Sequence, residues 1–363
     1  MLEGDLLRVC FISGREPQYV RNAVLLKAMR GTGIDVLECT DCSKSYLTRH
    51  VQVLRKFLSL RREDFDLVFV GFLGQILVPI IRKLTRRPMV FDAYLSVYDT
   101  MCFDRKKFAP DSLAGRFFYW LDRRSCAIAD KVLLDTEAHI DYFVSTFGLE
   151  SRKFQRVFVG VDEAVFYPRD TGRECGRFRV LYYSTYLPLH GVEHIIHAAE
   201  KLERHADVEF QLIGRGQQLK EIRRLAGKSN ATNVRFLDWV AYADLPSMIA
   251  EADVCLVGHF SDIDKARRVI PGKAFQCTAM RKPVIVADNP ANRELFQDRE
   301  NARFVEMASA DSLADAIMEL KDDDSLRERI AAGGYRTMER RCTTGVIGKE
   351  VRDLMVAMLG EPQ

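Results

Sequence analysis

The sequence has no apolar run long enough to cross a bilayer. Its most apolar window, residues 68–84, is interrupted by Gly71, Gly74, Pro79 and Arg82. The opening residues MLEGDLLRVCFISG lack the long apolar core of a signal peptide, and we interpret them as a first strand. The chain also has no short repeat, heptad run or low-complexity segment. At 363 residues it is long enough for two domains, so we expect a water-soluble globular protein.

A disulfide framework is also missing, because the nine cysteines are scattered and odd in number. Such cysteine usage is typical of a reducing compartment, and it predicts a cytoplasmic location. Cys39 and Cys42 form a CxxC pair, but neither a second pair nor a neighbouring histidine accompanies them. We therefore expect no metal site at this pair.

The common nucleotide-binding signatures are absent as well. Neither half of the sequence carries Gly-x-Gly-x-x-Gly after its first strand, and there is no P-loop. Gly214 and Gly216 form a single Gly-x-Gly, which is a weak signal by itself. The sequence therefore lacks the motifs that usually indicate a dinucleotide-dependent oxidoreductase or a P-loop nucleoside triphosphatase.

The net charge of +3 is unevenly distributed. Through Val165 the sequence has 25 Lys and Arg against 21 Asp and Glu, whereas the remainder has 29 against 30. The N-terminal cations fall in clusters at residues 55–56, 61–62, 82–87, 105–107 and 123–124. This pattern favours peripheral contact with an anionic membrane surface or an anionic acceptor, a solvated basic face being the alternative. Nucleic acid is disfavoured because no recognition helix or aromatic-basic array accompanies the charge.

Short β-rich runs alternate with helical sequence along the whole chain, which indicates parallel α/β sheets. A polar break, PRDTGRECG, begins at Pro168 and separates two sets of such runs. We predict two Rossmann-like, doubly wound domains, over residues 1–168 and 177–340, with C-terminal helical sequence over 341–363 crossing back to the first domain. Ligands of such sheets bind beyond the carboxyl ends of the strands.

The segment from Arg267 to Asp288, RRVIPGKAFQCTAMRKPVIVAD, combines basic residues with a predicted helix start. Pro271 suits the first turn of a helix, where its missing N–H costs nothing. The free amides of that turn, with Arg268 and Lys273 beside them, form a local anion site. Gln276 lies about one turn further into the helix. An ordinary crossover helix with solvated basic residues is the alternative.

Three longer segments carry a family resemblance: STYLPLHGVEHIIHAAEKL from Ser184, LIGRGQQLKEI from Leu212, and KARRVIPGKAFQCTAMRKPVIVADNPANREL from Lys265. With GVDEAVFYP from Gly160, they make the whole chain resemble the retaining glycosyltransferases of family 4, the glycogen-synthase-like group with the GT-B fold. The resemblance implies two domains facing a cleft, with a nucleotide-sugar held mostly by the C-terminal domain. It also implies a glycan, lipid-linked or small-molecule acceptor on the N-terminal side, and transfer with retention that needs no metal or cofactor.

The resemblance places different residues at four positions where many relatives have charged ones. Thr185 and His190 stand where such relatives have an Arg and a Lys, and Arg268 and Gln276 stand at the two glutamate positions. We expect the cations to be rearranged, so that Lys273, Arg268 and a protonated His190 stabilise the departing phosphate. Front-face attack, with the phosphate taking the acceptor proton, then needs no carboxylate nucleophile.

The complete predicted site follows from these motifs and from the strand ends. Its catalytic residues are Lys273, Arg268, His190 and Asp92. The residues predicted to bind the donor are Gly14, Ser184, Thr185, Gly214, Arg215, Gly216, Trp239, Val240, Pro271, Gly272 and Gln276. The residues predicted on the acceptor side are Arg15, Tyr94 and Asp99, with strand-end or capping roles as the alternative for Asp92 and Asp99.

Other residues are open to more ordinary interpretations. For Trp239 we favour core burial over stacking on a nucleotide base. For His139 we favour a helix start capped by Asp135 or Thr136, and for His194 and His197 a helix surface rather than a metal site.

Two classes of function remain open. The favoured one is transfer of a sugar from a nucleotide-sugar to an acceptor hydroxyl. The competing class is a nucleotide-sugar-binding subunit that has lost activity, suggested by Gln276 and Thr185. A sugar epimerase on the same fold is a distant third, because it would need acid and base side chains that the sequence does not assemble.

Overall fold

The computed structural model describes residues 7–170, 176–229 and 231–360. Five residues of the predicted interdomain break, 171–175, and the first six residues of the predicted N-terminal strand segment lie outside the described residues. The chain divides into two compact units. The first unit comprises the residues up to Gly160 together with those from Thr343 onward, and the second comprises Val161–Cys342.

The first unit alternates strands and helices. Its strands are β1 (Arg8–Ser13), β2 (Asp35–Cys39), β3 (Leu67–Gly71), β4 (Met89–Asp92), β5 (Lys131–Leu134) and β6 (Phe154–Arg156). Its helices are α1 (Val20–Gly31), α2 (Tyr46–Ser59), α3 (Leu77–Leu84), the short α4 (Val97–Asp99), α5 (Leu113–Ile128) and α6 (Glu137–Phe147). The six strands form one parallel sheet in the order β2-β1-β3-β4-β5-β6.

The second unit repeats this architecture. Its strands are β7 (Phe178–Ser184), β8 (Val208–Gly214), β9 (Val234–Leu237), β10 (Val254–Leu256), β11 (Val284–Ala287) and β12 (Arg303–Val305). Its helices are α7 (Val192–Lys201), α8 (Leu219–Lys228), α9 (Leu245–Ala250), α10 (Gly272–Ala279), α11 (Pro290–Arg293), α12 (Ala310–Asp322) and α13 (Asp324–Arg341). The parallel sheet has the order β12-β11-β10-β7-β8-β9. The predicted pair of doubly wound α/β sheets is confirmed.

The central strands are buried along their whole length, as parallel strands covered by helices on both faces must be. In the first unit β3, LVFVG, is buried at every residue, and Val9 to Ser13 of β1 are buried beside it. In the second unit β11, VIVA, is buried throughout. This explains why short, uninterrupted apolar runs marked the strands in the sequence.

Local capping fixes where several helices begin. The Thr136 side chain accepts a hydrogen bond from the His139 amide at the start of α6. His139 is fully buried, and its Nδ1 lies 2.8 Å from a carboxylate oxygen of Asp135. The capping interpretation of this segment is therefore confirmed.

The last helix, α14 (Thr344–Gly360), packs on α1 of the first unit. Gly348 allows the close contact, because a Cβ there would lie 2.3 Å from the Ala28 carbonyl oxygen. The predicted return of C-terminal helical sequence to the first unit is thus confirmed for α14. The preceding helix, α13, instead packs on α10 within the second unit.

Candidate functional site

The predicted helix start at Pro271 is present. Pro271 is the N-cap of α10, with extended backbone angles of −62° and 137°, and Gly272 is the first helical residue. The helix that follows is buried along most of its length, and it precedes the buried strand β11. The positive end of the α10 dipole therefore stands beside the side chain of Lys273.

Lys273 is the most unusual charged residue of this segment. It is 9% exposed, and its Nζ has no hydrogen-bond partner among the residues that the structure describes. The same atom lies 3.9 Å from the centre of the Tyr182 ring. Burial lowers the pKa of Lys273 to about 7. A buried amine without a counterion at a helix N-terminus is suited to receive an anionic ligand.

His190 lies close enough to Lys273 to share its electrostatic environment, and it stacks on a second histidine. The rings of His190 and His259 are 5.2 Å apart and nearly parallel, at 6°. Burial, with the nearby Lys273 as a second cause, lowers the pKa of His190 to about 3. Burial and the neighbouring His190 hold the pKa of His259 well below its usual value. These shifts favour neutral rings in the unliganded protein, and they do not support the prediction of a protonated His190.

His259 was missed by the sequence reasoning, although a signal was available. It follows β10 in the run LVGHFS, at the carboxyl end of a parallel strand. Ligand-binding residues of such sheets come from these positions. His259 is 7% exposed, and its Nδ1 has no hydrogen-bond partner within the described part of the chain. We add it to the candidate site.

Arg268 and Gln276, the two positions where relatives carry glutamates, both have partners inside the second unit. Arg268 is 8% exposed and forms an ion pair with Asp264, one helical turn earlier. The Gln276 carbonyl oxygen accepts a hydrogen bond of 2.7 Å from the Tyr183 hydroxyl. Arg268 is thus partly neutralised already, in contrast to the free cation expected from the sequence.

The single Gly-x-Gly motif has a packing role. Gly214 and Gly216 have φ angles of 151° and 145°. A Cβ at these two positions would lie 2.1 Å from the Ser184 carbonyl oxygen and 1.8 Å from that of Thr185. The glycines therefore let the loop after β8 lie directly against the loop after β7. This contact brings together four of the predicted donor-binding residues, Ser184, Thr185, Gly214 and Gly216. Of these, Thr185 has an exposed side chain.

Arg215, between the two glycines, extends over Trp239. The guanidinium carbon is 4.6 Å from the ring centre, and Trp239 is 49% exposed. The expected core burial of Trp239 is therefore wrong, because β9 ends at Leu237 and the indole lies beyond it. Val240 follows as a half-buried residue. The exposed indole face offers a stacking surface for a planar ligand.

Asp92 does not have the position expected of a catalytic carboxylate. It is fully buried at the end of β4 and forms an ion pair with Arg21 of α1, with N–O distances of 2.8 and 3.0 Å. Arg21 also donates to the main-chain oxygens of Val157 and Phe158. The predicted contact of Asp92 with an acceptor hydroxyl is therefore wrong, because both carboxylate oxygens are already bonded within the fold.

The remaining predicted residues of the first unit lie near the carboxyl ends of β1 and β4. Gly14 is buried, and a Cβ there would lie 2.0 Å from the Leu73 carbonyl oxygen, so its glycine is needed for packing. Arg15 contacts Tyr46 and forms an ion pair of 3.1 Å with Glu16.

Tyr94 and Asp99 follow β4. Tyr94 has a φ of 58°, and its ring packs edge-on against Phe72 at 5.0 Å. Asp99 is 2% exposed within α4, and this burial does not fit its predicted contact with an acceptor. Arg15 and Tyr94 keep their acceptor-side assignment as a prediction.

Within residues 7–170, 176–229 and 231–360, no three His, Cys, Asp or Glu side chains converge in a way that would hold a metal ion. His194 and His197 lie on the surface of α7, where the Nδ1 of His197 is 3.3 Å from Glu200. The helix-surface interpretation of this pair is confirmed. In the same described ranges, none of the helices has both the length and the apolar character required to span a membrane.

A model of the family described as Glycosyl transferases group 1 matches residues 166–337. The second unit of this chain belongs to the group 1 glycosyltransferases. The segment matched by that model contains Lys273, His190, His259 and the two-glycine loop. The resemblance on which the sequence prediction depended is therefore confirmed.

Two curated proteins named as sugar transferases are similar to this chain in sequence. The chain is 26% identical over 251 residues to the alpha-D-kanosaminyltransferase of Streptomyces kanamyceticus, covering 66% of this chain and 61% of the relative. It is 31% identical over 196 residues to the phosphatidyl-myo-inositol mannosyltransferase of Mycolicibacterium smegmatis, covering 50% of this chain and 46% of the relative. This chain thus spans about half to three fifths of the length of these two relatives.

Solved structures with similar folds cover nearly the whole chain. Sucrose-phosphate synthase from Thermosynechococcus elongatus superposes with a TM-score of 0.75 at 14% identity, over 98% of this chain and 99% of that structure. Anabaena HepE, solved in complex with UDP, superposes with a TM-score of 0.72 at 18% identity, over 97% of this chain and 100% of that structure. The expected GT-B fold is confirmed.

Proposed function

We propose that this protein is a glycosyltransferase that moves a sugar from a nucleoside-diphosphate sugar to an acceptor hydroxyl. The observation that carries the proposal is the buried, unpartnered Nζ of Lys273 at the N-terminus of α10. It lies within the segment that belongs to the group 1 glycosyltransferases. The diphosphate of the donor would occupy this position.

The chemistry of the leaving group explains why such a position is needed. Negative charge concentrates on the β-phosphate as the glycosidic bond breaks, and preorganised cations and helix dipoles stabilise that charge. Lys273 would supply the charge, and the neutral rings of His190 and His259 would supply N–H donors. Little reorganisation is required, because these groups are already fixed by burial.

The finer mechanism is also a proposal. The anomeric configuration would be retained through front-face attack, with the acceptor proton passing to the departing phosphate oxygen. Neither a metal ion nor another cofactor would be needed, because protein cations take the role of the metal. Undiminished transfer in the presence of a metal chelator would support this statement, and loss of transfer that added magnesium restores would contradict it.

The exposed Trp239 face, with Arg215 above it, is our candidate contact for the nucleotide base. HepE has been solved with UDP and with UDP-glucose, and a relative from Mycobacterium tuberculosis is named as GDP-mannose-dependent. We therefore expect UDP- and GDP-sugars to be the informative donors. The relative from Mycolicibacterium smegmatis is named for phosphatidyl-myo-inositol, a lipid, and a lipid-linked or glycan acceptor is our preferred proposal for this chain.

The test combines calorimetric binding of UDP and GDP with transfer or hydrolysis of their sugars. Replacing Lys273 by alanine should reduce kcat/KM by roughly a hundredfold to a thousandfold, because a major stabilising group of the transition state is removed. Lys220→Ala, an exposed lysine on α8, is the matched control and should leave turnover unchanged. If no nucleotide binds and no sugar is released, the proposal fails.

The second candidate is a nucleotide-sugar-binding subunit without catalytic activity. It is favoured by one observation, that Gln276 stands where relatives have a glutamate and is already hydrogen-bonded to Tyr183. Tight nucleotide binding without any turnover would support this alternative. A large gain in binding on Gln276→Glu would indicate a weakened donor site, whereas an unchanged affinity in an active enzyme would indicate a rearranged one.

A further inference from the structure

Exposed apolar side chains are concentrated on one part of the first unit. Sixteen large apolar side chains are exposed in the described structure, and twelve of them lie on three segments, residues 46–58, 76–84 and 103–120. The other four, Tyr167, Trp239, Tyr242 and Val356, are isolated or belong to surfaces described above. A concentration of this kind marks an interaction surface, whereas scattered apolar residues do not.

The three segments lie in one layer. The inner sides of α2, α3 and α5 contribute Val53, Leu77 and Cys126 to the same core cluster, together with residues of β1, β3 and β4. Their outer sides therefore face away from the sheet in a common direction. We call this surface, with the loop 103–108, the outer helix layer.

Helix α5 contributes the most exposed part of this surface. Leu113, Phe117 and Trp120 are 86%, 49% and 51% exposed, and their spacing of four and three residues places them on one helix face. The rings of Phe117 and Trp120 are 6.1 Å apart. Arg116 and Arg124 are exposed on the same helix. An exposed Leu-Phe-Trp stripe flanked by arginine is typical of a helix that lies in a membrane interface.

The charge of the outer helix layer is predominantly positive. Residues 44–61, 76–87 and 103–124 contain fifteen Lys and Arg but only three Asp. Two of these, Asp104 and Asp122, are buried. Several cations are exposed and have no carboxylate ion pair in the described part of the chain: Arg55, Lys83, Arg86, Arg105, Lys106, Lys107, Arg116 and Arg124.

Two of the basic residues in these segments are bonded within the fold and do not add free charge to the surface. Arg82 pairs with Asp130 at 2.6 Å, and Lys56 donates to the Thr40 carbonyl oxygen at 2.5 Å. The clusters read from the sequence therefore overstate the free charge at residues 55–56 and 82–87. The unpaired cations that remain accompany the exposed aromatic and aliphatic side chains.

We propose that the outer helix layer docks the protein onto an anionic lipid bilayer, with Leu113, Phe117 and Trp120 inserted at the interface. Phosphate-bearing headgroups would neutralise the flanking cations, each of which adds attraction to an anionic surface. A second copy of the chain fits less well, because apposing two such faces would bring like charges together. The inference depends on the surface of the first unit alone and requires no transfer activity.

The test is sedimentation of the full chain with vesicles of phosphatidylcholine, with and without phosphatidylglycerol. We expect binding to the anionic vesicles and little binding to the neutral ones. Phe117→Ser with Trp120→Ser should weaken binding at least tenfold, because the inserted apolar area is lost. Val356→Ser, an exposed apolar residue on α14, is the matched control and should bind as the unmodified chain does.

The charge contribution is tested separately. Replacing Arg105, Lys106 and Lys107 by serine should weaken binding by roughly fivefold per charge. The paired substitutions Arg224→Ser and Lys228→Ser remove exposed cations from α8 of the second unit and should have no effect. Added salt should weaken binding of the unmodified chain, since surface charges are screened.

Insertion itself has a spectroscopic signature, because the chain has only two tryptophans. In a Trp239→Phe variant all tryptophan emission comes from Trp120, and it should shift to shorter wavelength with anionic vesicles. Absence of vesicle binding, or equal binding by the Phe117→Ser, Trp120→Ser chain with an unchanged melting temperature, would overturn the proposal. So would a dimer that those two substitutions dissociate and that excludes vesicles. If the double variant melts early, Leu113→Ser alone provides the same comparison.

Discussion

At the scale of single residues, the local environment decides which of the candidate groups carry charge. Lys273 could be found from the sequence, because Pro-Gly-Lys marks a helix start next to a buried strand. His259 could also have been found from its place after a predicted strand, but its stacking on His190 and the neutral state of His190 could not, because they depend on side chains brought together from the loops after β7 and β10. Sequence patterns locate a helix terminus, whereas the protonation of a buried base depends on its neighbours in space.

This environment predicts a pH dependence of donor binding. Burial lowers the pKa of free Lys273 to about 7, and a bound diphosphate would raise it, because an opposite charge favours the protonated amine. Binding above pH 7 must therefore take up a proton. We expect the affinity for UDP to fall as pH rises from about 7 toward the higher pKa of the complex, by at most tenfold per pH unit. A phosphate monoester is nearly fully ionised in this range, since its second pKa is about 6.

Calorimetry in buffers of different ionisation enthalpy measures this proton uptake directly. Lys273→Met is the control, because it removes the titrating amine while keeping an unbranched side chain. His190, with a pKa of about 3, stays neutral throughout this range in the unliganded protein. Proton uptake that persists in Lys273→Met would assign it to another group and contradict the role of Lys273.

At the scale of secondary-structure elements, the sequence was informative about strands and less so about what joins them. The central parallel strands, such as β3 and β11, are buried on both faces, so their apolar runs are visible without knowledge of their neighbours. The ion pair that connects β4 to α1 has no such signature. Asp92 looked like a strand-end functional carboxylate because its partner, Arg21, is 71 residues away in the sequence.

The structural role of Asp92 predicts a loss of stability rather than of chemistry. Asp92→Asn leaves the guanidinium of Arg21 buried without its counterion, and breaking such a pair costs about 3–5 kcal/mol of folding free energy. Glu150→Gln is the matched control, because its partner Arg152 is exposed and no measurable change is expected. Urea denaturation gives both values. A stable Asp92→Asn protein with greatly reduced turnover would return Asp92 to the catalytic residues.

At the scale of the whole molecule, the two units differ in the surfaces that they present. The second unit contains the group 1 glycosyltransferase segment and the candidate phosphate site, and the first contains the outer helix layer. Repeating α/β alternation in the sequence was enough to predict two similar sheets. The sequence could not show fully which basic residues leave a positive charge on the surface. It does not distinguish Arg82, which pairs with Asp130, from Arg86, which has no carboxylate ion pair in the described part of the chain.

The path of the chain also makes the first unit depend on its last helix. Because α14 packs on α1, residues at the two ends of the sequence stabilise one another. Gly348→Ala would place a methyl group 2.3 Å from the Ala28 carbonyl oxygen, and the resulting overpacking should destabilise the first unit by about 1–3 kcal/mol. Gly345→Ala on the same helix is the control, since its nearest neighbouring atom would be 4.0 Å away.

At the control position, alanine should be neutral or stabilising by up to about 1 kcal/mol, because it favours the helix more than glycine does. Amide hydrogen exchange separates the effects on the two units. In Gly348→Ala we expect faster exchange in Val20–Gly31 and Arg8–Ser13, while the strands of Val161–Cys342 keep their protection. Equal loss of protection in both units would mean that they unfold as one cooperative body, and unchanged exchange would contradict the close contact between α14 and α1.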